Sequence, residues 1–404
     1  MRRFETAFGS GDTSAEYRAL LDAVHAAFLD GRRAPAQPRQ VIGESWTRVR
    51  RTGLNPAVGG LPGETPDMPA AGAPVGPECA GEPSAMAAIV PVLRRHLDPL
   101  LDDDQTLLVI ADEKARVLAR FGGRGMSRHA DEIGFRPGLA WSERTVGTNA
   151  IGTALVTGGP VQVHAAEHFC FAQQGWSCAA APVFDPRSGR VLGAIDLSFL
   201  AGDAHPSAVS LASSLARQAE LELRDAHRRS LDRLRRATSG PGTGPWVLVD
   251  RWGWIADASD PGGRDRLALP DELTDGACVL VEGLGAVEVA AMPGGWLLST
   301  GPARGSDRDQ PRVRLRADPV RCEVTVASRD STWTRVLTGR RAQIVAYLAD
   351  HPNGMTAGEL AATVYGSSAS AVAVRAEVHR IRRAVGGLIE TNPYRLAAGV
   401  SRLD

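Results

Sequence analysis

The sequence predicts an α+β multidomain chain. Segments of helical period alternate with segments of strand period along all 404 residues, and Pro/Gly-rich stretches at 55–83 and 238–245 interrupt them. One long helical pattern also runs unbroken from Pro206 to Arg236. A chain of this length buries more than one core, and about two to four domains are expected.

Composition narrows the function classes. Lys+Arg and Asp+Glu both number 46, so there is no uniformly basic coat, and any contact with nucleic acid must be a local patch. Lys114 is the only lysine, so arginine carries nearly all the positive charge, and a single arginine means little. No signal-peptide core opens the chain, and no window approaches the roughly 18 to 20 apolar residues of a membrane span, so a cytoplasmic protein is expected. Cys79, Cys170, Cys178, Cys278 and Cys322 are odd in number and form no CxxC pair, which argues against a disulfide framework or a zinc ribbon.

The elements follow in order. Thr13 to Asp30 reads as a helix, with Thr13 and Glu16 as a capping-box pair and Tyr17, Leu20, Leu21, Val24 and Phe28 on one face. A second helix, about Pro38 to Thr52, stops at Gly53 with Pro56 beyond. Together they make an N-terminal helical segment, 1–60, and a linker follows at 61–84. Ile89, Leu93, Leu97, Leu100 and Leu101 then recur at helical spacing. TLLVIAD, the turn EK and ARVLARF read as a hairpin, and strands follow at Val161–Val163, Cys178–Phe184 and Val191–Phe199 with a DPRSG turn between the last two. These make a sensor-sized domain, 85–202.

The long helix occupies 203–238. Its stripe of Leu215, Ala219, Leu223, Ala226 and Leu234 suits either pairing with a second copy or packing on the chain's own domain. Beyond it, WVLVDRWGWIADA and short strands at Ala277–Val281, Ala286–Ala291 and Gly295–Ser299 describe a small PAS-like β unit, 244–330.

The densest motif is GLAWSERTVGTNAIGTAL, Gly138 to Leu155, continued by HAAEHFC and CAAAPVFDPRSGRVLGAIDLSF. It resembles the GAF domains of regulators related to the acetoin-catabolism activators, where W-x-E-x-x-x-G-T-N-x-I-G-T is followed by E-H-F and a closing G-x-I/L-D strand. The upstream ESWTRVRRTGLNP is similar to the S-W-x-R…G-x-x-P stretch that precedes the sensor in that family. The resemblance implies a GAF sensor fold and a small-molecule effector. Trp141, Glu143, Thr148, Asn149 and His168 are the expected ligand-binding residues. Thr148 and Asn149 stand where a loop enters a helix, a place suited to an anionic or carbonyl group or to plain capping.

His164 and His168 stand four apart beside Cys170, a spacing that invites a metal, but E-H-F accounts for His168 without one and no metal or cofactor is expected. Cys170 and Cys178 leave a thiol redox sensor or enzyme as an alternative.

Activators of the acetoin class carry an ATPase domain, whose phosphate loop reads GxxxxGK[ST]. That string is absent here, and Lys114 cannot serve it. No GxSxG, HExxH or kinase signature occurs either, so an enzyme is not expected.

LTGRRAQIVAYLAD, the break HPNG, a helix capped by Thr356 and a third helix from about Ser370 to Val385 precede LIETNPYRLAAGV, which reads as a β-hairpin. The strings AVRAEVHRIRRAVG and PYRL resemble the winged helix-turn-helix of response-regulator-type factors, placed here at 331–404. Val374, Val378, Ile381 and Val385 should face the core. Arg375, His379, Arg380, Arg382, Arg383, Tyr394 and Arg395 are the expected DNA contacts. The chain ends soon after the wing, so DNA binding is expected to be its terminal act.

The sequence therefore describes a ligand-responsive bacterial transcription regulator, with double-stranded DNA and an unidentified small-molecule effector as partners. A homodimer is expected, and RNA polymerase is a further candidate partner. A non-DNA signalling adaptor is the other alternative.

Overall fold

The structure is a computed structural model. It describes residues 15–57, 86–91, 93–94, 104–238, 244–260, 263–270, 273–281, 284–300, 312–327, 332–366, 371–397 and 400–403. The Thr13 cap, the 61–84 linker, Cys79, Leu97, Leu100 and Leu101 lie outside these residues. The architecture is mixed α/β with several sheets, in two compact units, Met1–Asp225 and Ala226–Asp404. No helix among the described residues is long and apolar enough to cross a membrane.

The first unit is built on an antiparallel sheet of β1 (Leu107–Asp112), β2 (Val117–Phe121), β3 (Val161–His164), β4 (Trp176–Phe184) and β5 (Val191–Leu200), in the order β2-β1-β5-β4-β3. Both faces are covered, which is why β4 is an almost continuous apolar run. One face packs Val109, Ala180 and Ala194 against Trp141, Ile151, Ala154 and Phe169. The other packs Leu108, Ile110, Ile195 and Leu197 against Met86, Ile89 and Leu93 and against Ala212, Leu215, Ala216 and Ala219 of the long helix.

The N-terminal helices α1 (Ala15–Leu29) and α2 (Gln40–Thr52) belong to this unit rather than standing apart as a 1–60 segment. Ile42, Trp46 and Val49 of α2 are fully buried in the first core, together with Val24 of α1. As the sequence predicts, α2 stops at Gly53, whose left-handed φ of 77° lets its N–H reach the Arg50 carbonyl.

The long helix spans Ala208–Ala237. Both ends of its stripe pack within the chain, whereas Ala226 in the middle is exposed. Leu215 and Ala219 are buried in the first unit, and Leu234 is buried in the second against Leu248 and Leu297.

The second unit opens with β6 (Trp246–Asp250), β7 (Ile255–Ala258), β8 (Cys278–Val281), β9 (Gly285–Met292) and β10 (Gly295–Ser299), paired antiparallel as β7-β6-β10-β9-β8. Counted along the chain this is the strand order of the first sheet again, and the opening turns match in detail. Asp112 Oδ1 accepts from the N–H groups of Lys114 and Arg116, at 2.9 and 2.8 Å, and Asp250 Oδ1 accepts from those of Trp252 and Trp254 at the same distances. The residue in the left-handed region is Ala115 in one turn and Gly253 in the other.

A second sheet follows, β11 (Arg312–Ala317), β12 (Arg321–Ala327), β13 (Thr332–Thr338) and a last strand β16 (Val400–Arg402). Its order is β13-β12-β11-β16, with β16 parallel to β11. The boundary expected at 330/331 falls between β12 and β13, which are paired neighbours, so the C-terminal module reaches back to about Arg312. Alternation explains this. Val313, Leu315, Cys322, Val324 and Val326 all turn to one face and bury against the helices that follow. Those helices are Arg340–Asp350, Ala357–Tyr365 and Ala371–Val385, with Thr356 capping the second in a full capping box with Glu359. The hairpin after them is brief, β14 (Ile389–Glu390) with β15 (Arg395–Leu396).

Candidate functional site

In the first unit the motif residues assemble around two buried carboxylates. Glu143 opens a one-turn helix, Glu143–Val146, and three side chains hold its carboxylate through four hydrogen bonds. Arg48 donates from Nε to Oε2 at 2.8 Å and from Nη2 to Oε1 at 2.7 Å, while Ser45 and Thr153 donate to Oε1 at 2.6 and 2.9 Å. Burial alone would raise the Glu143 pKa, but the Arg48, Ser45 and Thr153 donors together hold it below the usual carboxylate range. Glu143, named above as an expected ligand-binding residue, is the receptor for α2.

Glu167 is the second carboxylate. Arg39 binds it in a fork, at 2.8 Å to Oε1 and 2.6 Å to Oε2, and Trp46 Nε1 donates to its carbonyl at 2.8 Å. Its Oε2 also accepts from the His164 backbone N–H. The S-W-x-R string and the W-x-E…E-H-F strings are thus two halves of one clamp. The sequence displayed both carboxylates, and the missing signal was that each needed a cation from the upstream segment, Arg48 within α2 and Arg39 just before it.

Thr148 and Asn149 are likewise engaged by the chain itself. Asn149 caps the helix Ala150–Thr157, with Oδ1 accepting from Gly152 N–H and Nδ2 donating to the Gly147 carbonyl, both at 2.9 Å. The Thr148 hydroxyl lies 2.7 Å from Ser45 Oγ. A Cβ at Gly152 would stand 2.7 Å from Glu143 N, so only glycine allows this turn and helix to meet. The capping reading of Asn149 is thus seen in the geometry.

His168 is buried with Nδ1 3.0 Å from the Ala165 carbonyl, and burial lowers its pKa to about 4. Burial does the same to His164 and His25. No metal-ligating cluster occurs among the described residues. Burial also pushes the Cys170 thiol up to about 12 and raises Cys178 well above its ordinary value, so both are held as thiols, the opposite of redox activation.

Trp141 does line the core, its ring 4.0 Å from that of Phe135. The same face of the sheet carries a group whose members the sequence offered separately, Cys178 as a thiol and Asp196 as the end of the closing G-x-I/L-D strand, without joining them. Ser198 Oγ of β5 donates to Asp196 Oδ2 at 2.6 Å and lies 3.1 Å from Cys178 Sγ of β4, all three buried.

In the second unit, Val374, Val378, Ile381 and Val385 are buried as predicted. Arg375, His379, Arg380 and Arg383 are exposed on the other side of that helix. Arg380 is paired with Glu377, and Arg395 with Glu390 at 2.7 Å. Arg382 does not project outward. It is half-buried, and burial followed by the like charge of Arg264 lowers its pKa. Tyr394 is also half-buried, its backbone bridged to Met355 at 2.8 and 2.9 Å.

Residues 39–221 match the family model described as MimR, N-terminal domain. That match joins α2, the first sheet and the start of the long helix in one block. The chain is 36% identical over 221 residues to an uncharacterized 47.3 kDa protein in the thcA 5′ region of Rhodococcus erythropolis, covering 53% of this chain and 49% of that one. It is 31% identical over 244 residues to the acetoin dehydrogenase operon transcriptional activator AcoR of Bacillus subtilis, covering 60% and 39%. It is 36% identical over 140 residues to the propane 2-monooxygenase operon transcriptional activator MimR of Mycolicibacterium smegmatis, covering 34% and 24%. The aligned stretch is therefore about half or less of each relative's length.

Proposed function

We propose that the chain is a ligand-responsive transcription regulator. In this reading residues 39–221 form a GAF-type sensor for a small molecule, the middle sheet is a PAS-like unit, and residues from about 312 form a winged helix that binds double-stranded DNA. The observation that carries it is the joint presence, in one chain, of a segment similar to two operon transcriptional activators and a third helix whose solvent side holds Arg375, His379 and Arg383. Exposed arginines on such a helix suit phosphate contact and bidentate contact with guanine. The four-strand sheet under the helices supports the same reading, because it fixes their buried faces and leaves the basic one free of the core.

Effector and DNA are coupled here by linkage. The effector must bind more tightly to one DNA-binding state than to the other, by about 1–3 kcal/mol in typical systems. No phosphate loop supplies an energy source in this sequence, so the coupling is an equilibrium one.

The test is selection of DNA fragments from the sheared source genome by the purified chain at moderate salt. Enrichment of one or a few upstream regions is expected. Enrichment of none, or of all fragments equally, contradicts a regulator.

A further inference from the structure

The middle sheet, β6 to β10, carries two different neighbours on one face. Strand pairing sets Leu248 level with Leu297, Leu297 with Ala290, and Ala286 with Leu280, so Leu248, Leu297, Ala290, Ala286, Leu280 and Cys278 all turn the same way. The β6 end of that face is buried against Leu234, in the last turn of the long helix. The β8 end is buried in the C-terminal core, where Cys278 and Leu280 share one cluster with Val378, Ile381 and Val385 of the third helix.

Polar contacts tie down both attachments. At the β6 end, His227 Nε2 of the long helix lies 2.7 Å from Asp250 Oδ2, and both side chains are nearly buried. Trp252 and Trp254 stand edge-on to the His227 ring, at 6.2 and 5.7 Å between centroids. Asp250 thus holds its own turn with one carboxylate oxygen and the helix with the other. Arg235 adds a pair with Asp257 at 3.3 Å. At the β8 end, the Leu280 carbonyl accepts from the Gly387 N–H at 2.7 Å, two residues after the third helix ends. A Cβ at Gly386 would stand 2.3 Å from that carbonyl, so helix end and strand meet at a distance only glycine permits. Trp333 Nε1 donates to the Cys278 carbonyl at 2.6 Å.

We propose that the middle sheet is a mechanical joint, which takes the position of the long helix at β6 and passes it through β10 and β9 to the end of the third C-terminal helix at β8. Its consequence for DNA rests on the regulator reading above, whereas the coupling itself rests on the contacts. Both faces of the sheet are packed, and close-packed interiors transmit displacement rather than absorb it. Strands β6 and β8 are three spacings apart, about 14 Å at ~4.8 Å each. Sites so separated normally act independently, so any coupling between His227 and Trp333 reads the sheet that joins them.

The test uses the full chain, with His227→Ala at one attachment, Trp333→Phe at the other, the double variant, and Leu298→Ala as a control that thins the opposite face of the same sheet. Amide exchange of Ala371–Val385, read by mass spectrometry, is the main measurement, with melting temperature followed throughout. His227→Ala is expected to speed exchange in that helix by about threefold or more, and Leu298→Ala to speed it less for the same drop in melting temperature. The double variant is expected to depart from the product of the two single effects by about threefold. His227→Gln, which keeps a donor for Asp250, should restore most of the parent's protection. Should His227→Ala fail to fold, Leu234→Val takes its place. Anisotropy on a genomic fragment selected as above supplies a second readout, in which His227→Ala shifts affinity by about threefold or more with Arg375 and Arg383 untouched.

Exchange in the third helix that ignores His227→Ala, that follows Leu298→Ala equally, or that is simply multiplicative in the double variant overturns the joint, whether or not the chain binds DNA. An unchanged affinity in His227→Ala, with the parent binding its fragment, overturns it too and leaves the regulator reading intact. A parent that selects no fragment contradicts the regulator reading, and the exchange result then decides the joint alone.

Discussion

Arg48 and Glu143 stand 95 residues apart in sequence and meet in a two-pronged pair, Nε to Oε2 at 2.8 Å and Nη2 to Oε1 at 2.7 Å. The contact makes the upstream helix a working part of the first unit's core. Arg48→Ala strands a buried carboxylate, and because Arg48 itself is a third exposed, we discount the buried-pair cost to about 2 kcal/mol. Urea unfolding of the first transition measures it, and Glu143→Gln in the Arg48→Ala background is expected to recover part of the loss.

The same helix supplies Trp46, which is 1% exposed. Trp46→Ala is expected to cost about 3–5 kcal/mol, and removal of residues 1–57 to leave the remaining sheet unable to fold alone. Circular dichroism and amide exchange of the truncated chain check this. A native-like, cooperatively melting truncation contradicts the clamp.

Acid stability has a definite sign. Burial holds His25, His164 and His168 at about 4 when folded, below the ordinary value of about 6.5. The unfolded chain therefore binds more protons between those values, and stability is lost as pH falls from about 6.5 toward 4. Glu143 adds to the loss at lower pH, since its depressed pKa makes its contribution vanish as pH falls through the folded value. Denaturant midpoints across that range should fall steadily, and His168→Gln should flatten the curve.

The two matching turns give a paired test. Gly253→Ala places a Cβ 2.1 Å from the Leu267 carbonyl at a φ of 84°, and a loss of roughly 2 kcal/mol or more is expected. Ala115 already occupies that conformation in the first sheet, so Ala115→Gly is expected to change stability by less than about 1 kcal/mol.

Much of the chain's local structure was legible. Gly53 ends α2, Thr356 caps its helix, and the hairpins around Asp112 and Asp185 fall where turn residues placed them. Pairings across long stretches of chain were not, because Arg48 carries no mark of Glu143. Some features were present but not recognised. R-V-R-L-R at 312–316 alternates as a strand should, and Arg382 follows Val378 by four, which sets it beside the buried stripe rather than opposite it.

The central claim is that this chain reads DNA through its third C-terminal helix, and fluorescence anisotropy on a selected upstream fragment over a range of salt tests it most directly. The account predicts tighter binding to that fragment than to a shuffled one, and a salt slope reduced by about one for each of Arg375→Ala and Arg383→Ala, with Arg382→Ala acting less on binding than on stability. Equal affinity for the shuffled fragment, or a slope unchanged in the Arg375→Ala, Arg383→Ala double variant, contradicts it.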